Sequence, residues 1–396
     1  MSAAVLPPLA LYLHFPWCVS KCPYCDFNSH ALRETLPETR YVEALLADVA
    51  AQGALVQGRQ VESIFLGGGT PSLFTPAALD QVFHGLRRSI TVSADAEITL
   101  EANPATVERG RFAEYRAVGI NRVSLGAQSF DTETLKALGR IHQPSDVLRA
   151  AEELHAADLP NFNLDLMYAL PGQTLPGALA DVTTALSLQP AHLSHYQLTL
   201  EPGTLFAARP PPLPDEDLAW SMQLECQGLL EAHGFDQYEV SAYASAARRR
   251  CRHNLNYWNY GDYLGAGAGA HGKLTLQSAG DSATRIQRST HLREPRRYLA
   301  SAAQGPQWRV VPEADLPFEF AMNALRLAEG FAPALFVERT GLAIGAIAGR
   351  LERLADEELA LWQHGCWRAS PKGFQYLNEV VGRFLPEPNS QTGAGS

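Results

Sequence analysis

The sequence predicts an α/β protein, a partial (β/α)6 barrel followed by a smaller α+β domain. Six short β-rich runs recur through the first half at intervals of roughly 30–40 residues, and segments of helical period lie between them. A proline-rich break then separates this alternation from a mixed second half. The runs are Leu11–Phe15, Ser63–Leu66, Glu97–Leu100, Arg122–Leu125, Phe162–Met167 and His195–Leu200. The helical segments are Tyr41–Ala51, Pro76–Leu86, Val107–Ala117, Val147–Ala157 and Leu175–Leu188, the second introduced by Thr75 as a cap and Pro76 at the first helical position. Six β/α units in series imply parallel strands with helices outside, closed or nearly closed into a barrel. The break covers Glu201–Asp215, where Arg209-Pro210-Pro211-Pro212-Leu213-Pro214 opposes both helix and strand. It divides the chain into residues 1–205 and 206–385, with 386–396 as a disordered tail. In the second part Glu216–His233 reads as a helix, Tyr238–Tyr243 and the region around Tyr257 as extended segments, and Gly261–Gly272 as a glycine-rich loop. Pro333–Leu385 has the helix, helix, hairpin rhythm of a winged-helix-like unit.

Hydrophobic residues make up 46% of the 396 and charged residues 19%, enough for buried cores. A formal net charge of −10, from 42 acidic and 32 basic residues, disfavours broad adhesion to phosphate backbones or anionic membranes. Pro333–Leu385 carries six Lys/Arg and six Asp/Glu, so it lacks the basic footprint of a nucleic-acid-binding winged helix. No run of about 18 apolar residues is present. The apolar Met1–Phe15 contains no Lys or Arg, the first being Lys21, and Pro7 and Pro8 sit where the apolar core of a secretion signal belongs. The expectation is a cytoplasmic protein with at most peripheral membrane contact.

Three of the six cysteines, Cys18, Cys22 and Cys25, crowd into eight positions, which points to metal chemistry rather than a disulfide scaffold. On a helix they would spread along a stripe about 10 Å long. Pro16 and Pro23 oppose a continuous helix, so the segment is expected to be a loop after the first strand, wrapped around its ligand. Three thiolates leave one iron of a cubane cluster open. A Cys₃His zinc site with His14 or His30 fits the same spacing. Cys226 and Cys366 lack a neighbouring ligand pattern and read as buried apolar residues, while Cys251 lies beside a histidine.

Cys18-Val-Ser-Lys-Cys22-Pro-Tyr-Cys25 matches the CxxxCxxC signature and so resembles the radical S-adenosylmethionine (SAM) superfamily. That resemblance implies a [4Fe-4S] cluster whose fourth iron is chelated by SAM. Gly67-Gly68-Gly69-Thr70-Pro71 follows the second run directly, and glycines let backbone approach a ligand closely. Glu101 and Gln128 stand just past the third and fourth runs and Asp165 inside the fifth, positions that face the C-terminal mouth of a β/α barrel. The resemblance is to the coproporphyrinogen-dehydrogenase branch, HemN and HemW proteins. It implies SAM contacts at Tyr12, Tyr24, Gly68, Gly69, Thr70, Glu101, Gln128, Arg140 and Asp165. By its sequence environment alone Arg140 would be an ordinary surface arginine.

HemN-type dehydrogenases carry a further cysteine two residues after the third and a longer N-terminal extension. Here Asp26 and Phe27 follow Cys25, and 11 residues precede Tyr12, both of which resemble the HemW-type haem chaperones. Cys251-Arg252-His253-Asn254-Leu255-Asn256-Tyr257-Trp258 contains HNxxYW, similar to the haem-binding motif of that group. His253 offers an imidazole for axial iron ligation, Tyr257 and Trp258 offer flat apolar surface, and Asn254 completes the motif. Arg248, Arg249, Arg250 and Arg252 form the one basic run, suited to haem propionates, to an anionic partner or to a solvated face.

The resemblance therefore implies a haem chaperone that carries a [4Fe-4S] cluster and SAM and passes haem to apo-haemoproteins, of the respiratory chain or elsewhere, with the cluster supporting dimerisation or transfer. The competing expectation is oxygen-independent oxidative decarboxylation of coproporphyrinogen III to protoporphyrinogen IX through a 5′-deoxyadenosyl radical. In that case the protein positions SAM and excludes competing chemistry.

Overall fold

A computed structural model describes residues 6–105, 111–277 and 284–386. Among them twelve strands form one sheet. Six of the parallel strands follow the expected runs: β1 (Leu9–Phe15), β2 (Gln60–Gly68), β3 (Thr91–Ala102), β4 (Arg122–Gln128), β5 (Phe162–Tyr168) and β6 (His192–Gln197). The last begins earlier than expected and ends before Leu198, because its pairing is with Asn163 to Tyr168 of β5. The connecting helices are α1 (Glu38–Gln52), α2 (Pro76–Ser89), α3 (Arg111–Ala117), α4 (Pro144–Ala156) and α5 (Leu175–Ser187). Residues 107–110 of the expected Val107–Ala117 helix, and the expected tail beyond Pro386, lie outside the described residues.

Each strand has two faces because successive side chains alternate. Leu9, Leu11 and Leu13 of β1, Ile98 and Leu100 of β3 and Leu164 and Leu166 of β5 face the helices and are buried with Val42, Leu45, Leu79, Val82, Val147 and Val182. Each such side chain contributes about 1.5–3 kcal/mol by leaving water. The opposite parity carries Tyr12, Glu97, Glu101, Ser124, Asp165 and Tyr196, so the concave face is polar. Thr75 caps α2 as expected, its Oγ1 accepting from Ala78 N at 3.2 Å. Glu38 holds the same threonine through its N–H at 2.6 Å and its hydroxyl at 3.1 Å, which locks α2 to α1.

The proline-rich segment does not end the sheet. After it come α6 (Glu216–Ala232) and a hairpin of β7 (Asp236–Glu239) and β8 (Ala242–Ala244), which resolves the expected Tyr238–Tyr243 run into two strands. β8 pairs antiparallel with β6. The other edge is extended by β9 (Asp262–Ala266), parallel to β1, then β10 (His271–Gln277), β11 (Thr284–Thr290) and β12 (Gln307–Val310). The order is β12-β11-β10-β9-β1-β2-β3-β4-β5-β6-β8-β7, an open, partial barrel. Met222, Cys226 and Leu264 belong to the same core as the first six strands.

Two expectations are corrected here. Gly261–Gly272 is not a loop but contains β9 and the start of β10, and its glycines serve close packing: a Cβ on Gly265 would lie 1.9 Å from the His271 carbonyl oxygen. The region around Tyr257 is not extended but is the helix α7 (Arg252–Trp258). Tertiary contacts override the modest propensity of His, Asn, Tyr and Trp for helix. The buried Glu97 carboxylate accepts the His253 N–H at 3.2 Å at the helix start. At its end Asn256 donates to the Asp262 carbonyl at 2.8 Å.

A second core lies under α8 (Leu316–Ala324), α9 (Pro333–Thr340) and α10 (Gly345–Asp356), followed by the hairpin of β13 (Ala360–Gln363) and β14 (Cys366–Ala369), the expected helix, helix, hairpin order. Cys226 is buried as expected. Cys366 is only half-buried, because it directly follows the exposed turn at His364 and Gly365. Among the described residues no helix is long and apolar enough to cross a membrane.

Asp262 fastens the turn between α7 and β9. It meets Lys273 Nζ at 2.9 Å and Arg59 at 2.6 Å, and accepts from Thr275 N at 2.7 Å, with Asp262 and Lys273 fully buried. Against the upward push of burial, Lys273 and Arg59 hold this carboxyl below its ordinary value. A lowered folded-state pKa means that the unfolded chain takes up the proton first, so this contribution is complete above the unfolded value and is lost as pH falls. Asp262→Asn leaves Lys273 uncompensated and is expected to cost about 3–5 kcal/mol at neutral pH, measured by urea unfolding. A loss under about 1 kcal/mol would show that the network is dispensable.

Candidate functional site

The parallel strands end at one mouth, where a cavity of about 340 Å³ is lined by the cysteine loop and the ends of β2 to β6. The loop leaves β1 at Pro16. Its shape comes from backbone and side-chain ties rather than from a helix. Trp17–Cys18 pairs with His30–Ala31, and Cys25 N donates to the Cys22 carbonyl at 3.2 Å. Lys21 Nζ clips the Phe27 and Ser29 carbonyls at 3.0 and 3.1 Å. Asn28 Nδ2 reaches the carbonyls of Ala268 and Arg293 at 2.8 and 2.9 Å. Cys18, Cys22 and Cys25 are free, half-buried thiols on one cavity wall with Tyr24. Burial, foremost, raises the Cys18 thiol, with the neighbouring cysteines adding to the rise.

His14 and His30 do not line this cavity. His14 spends both ring nitrogens, on Tyr12 Oη at 3.0 Å and on the Asn28 carbonyl at 2.9 Å. It therefore braces the loop from below and is not free to complete a Cys₃His set.

Gly67-Gly68-Gly69-Thr70 closes the next wall. Gly68 has φ +109°, and a Cβ there would lie 2.3 Å from the His14 ring. Gly69 N and Thr70 N donate to the Phe15 and Trp17 carbonyls, each at 2.7 Å, so the glycine segment is stitched to the start of the cysteine loop. Gly68 N also donates to Glu101 Oε2 at 3.0 Å. Burial raises the Glu101 carboxyl to about 8, the Asp165 charge adding and the Gly68 N–H opposing. Asp165 is likewise raised by burial, although Asn163 donates to it at 2.8 Å and Ser124 at 3.1 Å.

Gln128 adopts φ +67° at the irregular end of β4, and its Oε1 accepts from Tyr196 Oη at 2.8 Å. Such a backbone conformation costs a non-glycine residue about 1–3 kcal/mol and is retained where surroundings enforce it. Arg140 is not on the surface. Its Nη2 donates to the Gly126 carbonyl at 2.6 Å, Nη1 lies 3.9 Å from Cys22 Sγ, and its buried Nε has no partner.

The cavity thus gathers Cys18, Cys22, Cys25, Tyr24, Gly68, Gly69, Thr70, Glu101, Gln128, Arg140 and Asp165. Tyr12 is the exception. It points below the wall, with its ring 6.3 Å from Phe65 and 6.4 Å from His253. Sequence reasoning missed Ser124, Met167 and Tyr196, whose signal was the alternation of polar and apolar residues along β4, β5 and β6.

His253 is not at the mouth. It enters the barrel floor from α7, 1% exposed, with Nδ1 3.1 Å from Ser63 Oγ and Nε2 2.9 Å from Tyr257 Oη. Burial pushes its imidazole down to about 3, and the Arg122 charge adds to this, so the ring is neutral. Asn254, Tyr257 and Trp258 are half-buried, with Arg326 stacked 4.4 Å over the Trp258 ring. In the basic run, Arg250 pairs with Glu329 at 2.9 Å and Arg252 donates to the Asp95 carbonyl at 2.7 Å.

The sequence matches the Radical SAM superfamily over residues 12–178 and the HemN C-terminal domain over residues 311–376. It is 47% identical over 382 residues to the heme chaperone HemW of Escherichia coli K12, covering 96% of this chain and 99% of that protein. The chain belongs to the HemW family of radical SAM proteins. The heme chaperone HemW of Bacillus subtilis is 32% identical over 387 residues, covering 95% and 99% of the two chains. The mouse mitochondrial radical S-adenosyl methionine domain-containing protein 1 is 40% identical over 275 residues, covering 68% and 62%. The structure of E. coli coproporphyrinogen III oxidase HemN superposes with a TM-score of 0.79 at 21% identity over 96% of this chain and 90% of that one, which establishes a common fold.

The radical SAM family implies a [4Fe-4S] cluster and SAM, and the residues present fit both. Three thiols share one wall for the cluster. SAM carries an ammonium, a sulfonium and a carboxylate. The buried carboxyls of Glu101 and Asp165 on the cavity wall suit the positive groups, and the unpartnered Arg140 Nε suits the negative one. When bound, the cluster supplies one-electron chemistry to SAM; the chain's own part is to bind, orient and desolvate it.

Cys22→Ser is expected to abolish the visible absorption of the reconstituted cluster while the second core stays folded by circular dichroism; full cluster content in that variant would refute the ligand assignment. Glu101 gives a pH signature in the cofactor-free protein. Because its folded pKa of about 8 exceeds the ordinary 4.5, the folded state holds a proton that the unfolded state has released, and stability falls as pH rises through that window. Glu101→Gln is expected to flatten the decline of Tm between these limits, and an unchanged slope would remove Glu101 from the titration.

Proposed function

We propose that this protein is a haem chaperone: it binds haem through the His253 to Trp258 segment and passes it to apo-haemoproteins, while Cys18, Cys22 and Cys25 hold a [4Fe-4S] cluster with SAM in the adjoining cavity. The observation that carries the reading is the near full-length likeness to heme chaperones at 47% identity, in a chain that keeps HNxxYW. Residues 1–205 are then the cofactor part, and residues 206–385 carry the haem motif.

The chemistry of the motif supports this. A ligand to haem iron must be a neutral imidazole, and His253 is held neutral by burial. Tyr257 and Trp258 flank it with flat surface, and Arg248 with Arg249, outside the ion pairs of their neighbours, suit the propionates. At the mouth Phe27 is 59% exposed on the cavity rim, so that position supplies apolar surface and no fourth thiol. Recipients of the respiratory chain, a cytoplasmic location and cluster-supported dimerisation belong to the same proposal.

The deciding experiment is anaerobic. The cluster is reconstituted, and one preparation is assayed for haem binding and for conversion of coproporphyrinogen III with SAM and a reductant. Stoichiometric haem binding without decarboxylation is expected. Turnover to protoporphyrinogen IX would overturn the chaperone reading and make this a biosynthetic enzyme.

A further inference from the structure

The contacts around His253 assign roles to two residues toward the haem iron, one of which lies far from the motif in sequence. Both ring nitrogens are engaged, so iron can bind only where one contact gives way. Ser63 Oγ, 3.1 Å from Nδ1, belongs to β2, fixed in the middle of the sheet between β1 and β3. Tyr257 Oη, 2.9 Å from Nε2, sits at the end of a half-buried side chain whose ring stands 4.4 Å from that of Tyr263. Because the Ser63 and Tyr257 hydroxyls can each donate or accept, either ring tautomer satisfies both contacts; in one of them Nδ1–H donates to Ser63 Oγ and the Tyr257 hydroxyl donates to the Nε2 lone pair. That same tautomer offers Nε2 to a metal without any proton moving on the ring. Phe65, 5.1 Å from the imidazole, limits its rotation.

We propose that Ser63 is the positioning residue for haem ligation by His253, holding Nδ1–H while Nε2 takes the iron, and that Tyr257 occupies the iron's place until haem arrives. The proposal rests on the haem-binding reading above. In the ligation step the Nε2 lone pair forms the bond to iron, and the Tyr257 hydroxyl keeps its proton and turns to another acceptor. Metal-bound histidines gain orientation and basicity when the second ring nitrogen donates to a fixed acceptor.

The test uses the full chain with its cluster reconstituted and hemin as the probe, read by titration and, after reduction, by the iron–imidazole stretching band in resonance Raman. Ser63→Ala is expected to weaken haem binding about tenfold and lower the stretching frequency, because the imidazole loses its acceptor, while cluster absorption is unchanged. Ser63→Thr, which keeps the hydroxyl, is expected to restore both readings. Tyr257→Phe, which removes the competing hydroxyl, is expected to raise haem affinity; unchanged or reduced affinity would overturn its part. If His253→Ala abolishes the axial signature while Ser63→Ala matches the unmodified protein in both readings, the positioning role falls and the haem reading stands. If the unmodified protein binds no haem, both fall.

Discussion

The polar inner face of the partial barrel is the constraint on which the rest of the structure depends. Six parallel strands bury one apolar face beneath their helices and leave the other lined with carboxyls, amides, hydroxyls and imidazoles. Such groups are costly in a dry interior unless each finds a partner. At the mouth they surround the cavity, where the buried Arg140 Nε has no partner. At the floor Glu97 and Ser63 find their partners on α7. Its start is capped by Glu97, its His253 answers Ser63, and the Cys251 N–H preceding it donates to Tyr238 Oη at 3.2 Å. Tyr238 in turn meets His192 at 2.9 Å, and His192 meets Asn163 at 2.6 Å, which brings the chain of bonds back to Asp165.

This arrangement gives one physical reason for two motifs far apart in sequence. The cysteine loop is braced by His14, His14 by Tyr12, and the Tyr12 ring lies beside His253. Tyr12 is therefore not a wall of the cavity but the spacer between it and the floor. Low-dielectric surroundings strengthen every bond of such a column and raise the cost of leaving any one unmade.

Much of this was legible in the sequence because it rests on local rules. The six strands, the helices between them, the Thr75 cap and the cysteine loop follow from periodicity, cap chemistry and proline placement, and the cavity residues from their positions at strand ends. What was not legible depends on contacts distant in sequence. Arg140 looks like a surface residue until Gly126 and Cys22 are placed beside it. His253 looks like an open ligand until Ser63, 190 residues away, is seen to take its ring nitrogen. The stretch around Tyr257 has composition suited to extended structure, and contacts distant in sequence, Glu97 at its start and Asp262 at its end among them, hold it as a helix. The glycines from 261 to 272 resemble a loop because sequence alone does not reveal that a neighbouring strand passes too close for a Cβ.

The pairing of β1 with β9 has a consequence for how the chain acquires its shape. Leu9 lies opposite Asp262, and the loop that follows β1 hangs through Asn28 from carbonyls at Ala268 and Arg293. A ribosome releases the cysteines early, but the anchors that define their loop come hundreds of residues later, and closing so long a segment is slow. No N-terminal fragment that ends before Arg293 contains the complete loop scaffold. Nascent chains therefore carry three thiols without their final setting, and the settled loop is a property of the finished polypeptide.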